Sequence, residues 1–195
     1  MVNVEKYGKF KPIGKTKNKK QIILCHTSRE VEEYLASLKF RYNSKYDKIP
    51  NYIVTKNGTI LQLLPDNGYS NFFTEEKINK SSIIICLENL GWLEKKPLTS
   101  YYINWKGSIY NQEVYEKKWR DFFFWEPYNE VQIKRTAELC GFLIDETKMK
   151  KNCVLHNTKI DGIEDFEGIV SRSNFNGKYT DLNPSFNFEN FIKLI

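Results

Sequence analysis

The sequence predicts an α/β fold, a central mixed β-sheet flanked by helices, and three observations lead there. Short β-branched apolar runs recur along the chain, helical segments separate several of them, and an Asn-Gly turn joins two others into a hairpin. The 195 residues are 41% hydrophobic with four cysteines, enough for one domain to bury a core without a disulfide or metal for folding. The longest unbroken aliphatic run, Ile83 to Ile85, is far short of the roughly 20 residues of a membrane helix, and mean hydropathy is −0.56. No membrane span is expected.

Taken in chain order, Met1 to Lys20 comes first. Seven lysines and no acid lie between Lys6 and Lys20. Such a block is either a disordered solvated tail or a basic arm that steers the protein to a polyanion. It lacks the apolar stretch of a secretory signal, so the chain is expected to be made in the cytoplasm. Gln21 to His26 (QIILCH) reads as a buried strand that delivers His26 to the sheet's edge. Thr27 or Ser28 can cap a helix over Arg29 to Phe40, where Val31, Tyr34, Leu35 and Leu38 recur at helical spacing. Asn51 to Lys56, Asn57-Gly58 and Thr59 to Leu64 form strand, two-residue turn and strand. Ser82 to Glu88 is continuously apolar from Ile83 to Leu87 and so is a central strand covered on both faces, with Ile84, Cys86 and Glu88 on one side.

From Gly91 to Tyr128 the pattern dissolves into aromatics and turn residues, a stretch able to line a sugar-binding groove or simply to fill a core. Asn129 caps a helix running to about Glu146, and Cys153 to His156 is a fourth short strand ending in histidine. Asn157 to Asp181 shows no sustained period and reads as a long loop, before a closing helix around Phe186 to Ile192. Cys25, Cys86, Cys140 and Cys153 are widely spread and form no CxxC pair, which suits buried thiols. Net charge +6 and a pI near 9.0 fit nucleic acid or an anionic cell-wall polymer. No helix-turn-helix or zinc-finger spacing supports nucleic acid, so none is expected as a partner.

His26 and His156 share a context, each closing an apolar strand and opening a loop. Residues at the ends of parallel strands gather on one rim, where α/β proteins build sites. Their separation carries no ligand signature of its own, so two unrelated histidines remain an equal reading.

Five segments in order carry a resemblance: His26-Thr27-Ser28; the Asn51-Tyr-Ile-Val hairpin with Asn57-Gly58-Thr59-Ile60 and Gln62; Ser82-Ile-x-Ile-Cys-Leu-Glu-Asn-x-Gly-Trp92; Val154-Leu-His156; and Asp181-x-x-Pro-Ser-Phe186. Together they resemble the zinc N-acetylmuramoyl-L-alanine amidases, the group that includes phage lysozyme-like amidases and the peptidoglycan recognition proteins. The resemblance implies a peptidoglycan recognition protein-like fold over residues 21–195, preceded by the basic arm 1–20 and interrupted by an aromatic-rich insertion at about 92–128. In that family two histidines and an Asp or Cys hold zinc, and the matching positions are His26, His156 and Asp181. Two imidazoles and one carboxylate leave the metal positive with an open position, which suits amide hydrolysis. The alternative role for Asp181, the less favoured one, is a helix cap before Pro184.

The implied reaction is cleavage of the bond between the lactyl group of N-acetylmuramic acid and L-alanine. Cys86 stands where many relatives carry a catalytic Glu, and a buried thiol is a poor base. Glu88 is the substitute base on the same face, or a hydrogen-bonding partner beside Asn89. Tyr179 matches the family's oxyanion-binding Lys, with Lys178 adjacent. Asn89, Trp92 and Arg172 are the expected substrate contacts. A tyrosine that some relatives place before the hairpin aligns with Pro50, leaving Tyr46 or Tyr52 to serve. The resemblance further implies peptidoglycan or muropeptides as partners and a monomer. An endolysin of phage or prophage, needing a holin for export and acting on the wall after release, is the expected setting; a muropeptide-recycling amidase and a non-catalytic peptidoglycan-binding module are the alternatives.

Overall fold

The computed structural model describes residues 2–40 and 47–195. Its elements in chain order are β1 (Glu5–Lys6), β2 (Gly14–Lys15), β3 (Gln21–His26), α1 (Val31–Phe40), β4 (Tyr52–Val54), β5 (Ile60–Gln62), β6 (Gly68–Tyr69), α2 (Glu76–Ser81), β7 (Ser82–Leu87), β8 (Trp92–Lys95), β9 (Tyr102–Asn104), β10 (Ile109–Tyr110), β11 (Tyr115–Trp119), β12 (Phe122–Trp125), α3 (Glu130–Thr147), β13 (Gly168–Ser171) and α4 (Phe188–Lys193). Six strands make the central sheet in the order β1-β5-β4-β7-β3-β13. Strands β4, β7, β3 and β13 run parallel, and β5 is antiparallel to β4.

Alternation along the central strands sorts the core into two faces. Ile22, Leu24, Ile83, Ile85 and Leu87 pack with Ile133, Ala137, Cys140 and Leu143 of α3 and Phe191 of α4. Ile23, Cys25, Ile84, Cys86 and Val170 pack on the other face with Tyr34 and Leu38 of α1 and Ile78 of α2. The strands therefore read as unbroken apolar runs because both faces are covered. Asn129 caps α3 as its sequence suggests, its side chain accepting from Gln132 N at 2.8 Å.

Four expectations change. The hairpin turn has three loop residues: Thr55 N donates to Thr59 O and Gly58 N to Thr55 O, both at 2.9 Å. Gly58 has φ +85° while Asn57 stays out of the left-handed region, so the turn is a type I turn closed by a glycine bulge. The lysine-rich start is not a free arm, since β1 adds to β5 at the sheet edge and β2 pairs with β6. Tyr7 and Phe10 pack against the core, and Lys19 is buried with Nζ donating to Ser82 O (2.8 Å) and Gly68 O (3.2 Å). Burial lowers the Lys19 pKa to about 8, with Asp66 opposing.

The aromatic stretch from Trp92 is a second sheet, antiparallel, in the order β10-β9-β8-β12-β11. Its aromatics alternate between a small core of Leu90, Leu93 and Tyr110 and the surface, where Phe123 is exposed. Finally, the last central strand is β13, from the region read as loop. Cys153, expected to begin a strand, makes one parallel bridge to Ile169, on the side of β13 away from β3.

Candidate functional site

The site lies at the C-terminal rim of the parallel strands, where such sheets gather ligands. His26 closes β3 and is buried. Asp181 is fully buried and joins three groups: Oδ1 accepts His26 N at 2.8 Å and lies 3.2 Å from His26 Nε2, while Oδ2 accepts Arg172 Nε at 2.6 Å. Arg172 follows β13 directly, so the pairing of β13 with β3 brings its guanidinium to the rim beside His26. Its Cζ lies 4.7 Å from the Tyr179 ring centroid.

The charges set one another. Burial alone would raise the Asp181 carboxyl, but the Arg172 guanidinium and the His26 imidazole hold it below the usual carboxylate range. Burial lowers the His26 pKa, Asp181 opposes that and Arg172 adds to it, which favours the neutral ring. The ring packs on Gly91, where φ is +81° and a Cβ would meet His26 Cε1 at 2.8 Å. Only glycine allows both the backbone and the approach.

Above this base opens a cavity of about 500 Å³ lined by His26, Thr27, Ser28, Arg29, Tyr34, Lys48, Phe72, Trp92, Trp105, Arg172 and Tyr179. Three of these are cationic and none is a carboxylate, so among the described residues the lining is positive. The second sheet supplies one wall: Trp92 stacks on Phe122 at 4.5 Å, and Trp105 Nε1 donates to Ser28 O at 2.6 Å. The Arg29 guanidinium lies 4.6 Å from the Trp105 ring centroid. Glu126, buried at the end of the second sheet, fixes that wall by accepting Leu90 N (2.5 Å) and pairing with Lys56 (2.8 Å). Trp105, Arg29 and Glu126 were not legible as site residues; the first lies in a run of aromatics with nothing to single it out.

Other expected residues fall elsewhere. His156 is exposed, its Nδ1 2.7 Å from the Thr158 hydroxyl. Its segment sits outside β13, one strand position farther from His26 than Arg172, and each such step is roughly 4.8 Å. Glu88 is buried, with Oε1 accepting Val31 N (2.7 Å) and Oε2 accepting Lys56 N (2.9 Å). It thus anchors the start of α1 and the hairpin, and Glu88 is not among the cavity-lining residues. Asn89 is spent on the scaffold, its side chain bonding Gly91 N (2.8 Å), Asn183 Nδ2 (3.1 Å) and Glu126 O (3.1 Å). Trp92, Arg172 and Tyr179 do line the cavity. Tyr46 lies outside the described residues, and the Tyr52 hydroxyl is engaged by Asp66 and Gln62.

These donors do not fit a zinc centre of two imidazoles and a carboxylate. Among the described residues no three His, Cys, Asp or Glu side chains converge as a metal-ligand group. His26 and Asp181 meet, but the third group there is a guanidinium, which repels cations and occupies one carboxylate oxygen. The triad expected with His156 is not assembled.

The fold is thus an α/β domain whose mixed central sheet carries a cationic, tryptophan-walled cleft at its C-terminal rim. Residues 15–168 match the family described as N-acetylmuramoyl-L-alanine amidase, and the chain belongs to that family. The match stops short of Arg172, Tyr179 and Asp181. Solved structures share the fold. The N-acetylmuramyl-L-alanine amidase AmiD from E. coli, in complex with the substrate anhydro-N-acetylmuramic acid-L-Ala-D-gamma-Glu-L-Lys, superposes with a TM-score of 0.57 at 17% identity, over 93% of this chain and 59% of that one. The hydrolase AmiA of Staphylococcus aureus gives 0.57 at 10% identity over 98% of this chain and 80% of that one. AmpDH3 of Pseudomonas aeruginosa, in complex with anhydromuramic pentapeptide, gives 0.55 at 12% identity, over 100% of this chain and 66% of that one. This chain thus spans about three-fifths of the AmiD chain. No curated protein matches the sequence. No helix among the described residues is long and apolar enough to cross a membrane.

Proposed function

We propose that this chain acts on peptidoglycan as an N-acetylmuramoyl-L-alanine amidase, taking the junction of muramoyl sugar and stem peptide into the cleft above His26 and hydrolysing the lactyl to L-alanine amide. The observation that carries this reading is the cleft itself: a positive, tryptophan-walled cavity at the sheet rim of a chain belonging to the amidase family. A muropeptide offers a sugar ring for Trp92 and Trp105 and carboxylates for Arg29, Lys48 and Arg172. The muropeptide ligands of AmiD and AmpDH3 support the same substrate class.

The residues support parts of the chemistry. A neutral His26 beside a buried carboxylate can take a proton from water. The Arg172 guanidinium and the Tyr179 phenol are donors available to an oxyanion at an attacked carbonyl. Zinc, the expected source of an acidified water, would require a third ligand at this site.

A second reading, peptidoglycan recognition without hydrolysis, is favoured by the Arg172 to Asp181 ion pair, which consumes the carboxylate a metal would need. Mass spectrometry of a muramoyl tripeptide after incubation, together with calorimetric binding of the same compound, separates the two. Free stem peptide beginning with L-alanine establishes the amidase. Binding without release selects recognition, and neither binding nor release refutes both.

A further inference from the structure

We infer that Arg172 takes the place of a metal ion in this site: the resident cation is the chain's own guanidinium, and the cleft binds a carboxylate-bearing muropeptide without a divalent ion. The inference rests on the muropeptide reading for its ligand, but its metal arm stands apart from it. Three observations carry it. First, backbone pairing rather than surface chance puts Arg172 there. Gly168 to Ser171 pairs in parallel with Gln21 to Leu24, so the residue that leaves β13 stands at the rim beside His26. Second, Asp181 is already satisfied: Oδ2 accepts Arg172 Nε at 2.6 Å and Oδ1 accepts His26 N at 2.8 Å. A cation competing for that carboxylate must displace a charge-assisted hydrogen bond and then sit against a guanidinium.

Third, the guanidinium is held yet still available. Nε is used by Asp181, and Cζ lies 4.7 Å from the Tyr179 ring centroid and 5.8 Å from that of Phe72, so two aromatic rings flank the guanidinium. Among the described residues its two terminal nitrogens have no hydrogen-bond partner, while Arg172 is one of the cavity-lining side chains. A planar fork with free N–H groups in a cavity lined by no carboxylate is suited to a carboxylate, which it grips in two places. The other possible third ligand, His156, is exposed and one strand position farther out.

The test uses the full chain and two probes, zinc alone and a muramoyl tripeptide with free carboxylates. The unmodified chain, after equilibration with zinc and desalting, should retain less than about 0.1 ion per chain. Its affinity for the tripeptide should be the same within twofold with and without a chelator. Arg172→Met should weaken that affinity at least tenfold, and Arg172→Lys, which keeps the charge on Asp181, should recover part of the loss, with circular dichroism reporting the fold of each. Arg172→His removes the guanidinium and offers a third metal donor beside His26 and Asp181; it should acquire about one zinc per chain, lost again when Asp181→Asn is added. A stoichiometric zinc in the unmodified chain that Asp181→Asn abolishes would overturn the inference, as would tripeptide binding that needs zinc. Equal affinities for the unmodified chain and a folded Arg172→Met would overturn its ligand arm. Should the tripeptide fail to bind at all while the zinc results hold, the muropeptide reading falls and the assignment of Arg172 as resident cation stands.

Discussion

The ion pair at the site is also a structural joint, and its strength can be worked out. Asp181 is fully buried and ties together the end of β3, through His26 N, and the end of β13, through Arg172 Nε. In Asp181→Asn the guanidinium loses its counter-charge in a place where burial already works against it. Removing one partner of a buried pair costs about 3–5 kcal/mol, against about 0–1 kcal/mol for an exposed one. The Arg172 side chain is 23% exposed, so the lower end, about 3 kcal/mol, is expected. For a domain of this size that corresponds to a drop in Tm of roughly 6–12 °C. Arg172→Met should cost a similar amount by stranding the carboxylate. The double variant removes both charges and should fall short of the sum, with a coupling of about 2–3 kcal/mol in urea unfolding. A coupling below about 0.5 kcal/mol would refute the claim that these two charges hold one another.

Glu88→Gln should lose about 1–3 kcal/mol of stability, because the amide keeps one acceptor for two backbone N–H partners, while muropeptide affinity stays within twofold; a stable variant with collapsed turnover would return Glu88 to the role of base. Gly91→Ala forces a side chain at φ +81° onto His26, so a loss of at least about 1 kcal/mol and weakened ligand binding are expected, and an unchanged melting curve would show the contact to be slack. Lys19 has its pKa lowered by burial from 10.5 to about 8. Between those pH values the unfolded chain holds a proton that the native one has released, so stability rises with pH through this window, by up to about 3 kcal/mol for this group. Below about pH 8 both states are protonated and the contribution is lost; Lys19→Met should therefore flatten the difference curve between pH 8 and 10.5, and parallel curves for the two proteins would contradict the burial of its charge.

Much of the central sheet was legible because its signals are local. Gln21 to His26 and Ser82 to Leu87 are apolar at every central position, which specifies strands covered on both sides whatever surrounds them. Asn129 announces its helix through one side-chain hydrogen bond within three residues. The second sheet was missed because Trp92 to Trp125 has strands of two to five residues, one of them (β11) exposed along most of its length, that gain their order from pairing with one another. Strand β13 was missed for a related reason: Gly168-Ile-Val-Ser171 is too short to show a period, and only the ladder with β3 makes it a strand.

The sequence by itself determined the class of fold, the family resemblance, and the arrival of His26 at a strand end, since each rests on residue types and near-neighbour spacing. Tertiary structure decided which groups join His26. Two segments between α3 and Asp181 had a claim to the place beside β3, one closing on His156 and one leading into Arg172. Backbone pairing awarded it to the second, and a single strand position across the sheet exchanged an imidazole for a guanidinium. Such a choice turns on long-range pairing between residues 147 positions apart, and no local pattern encodes it.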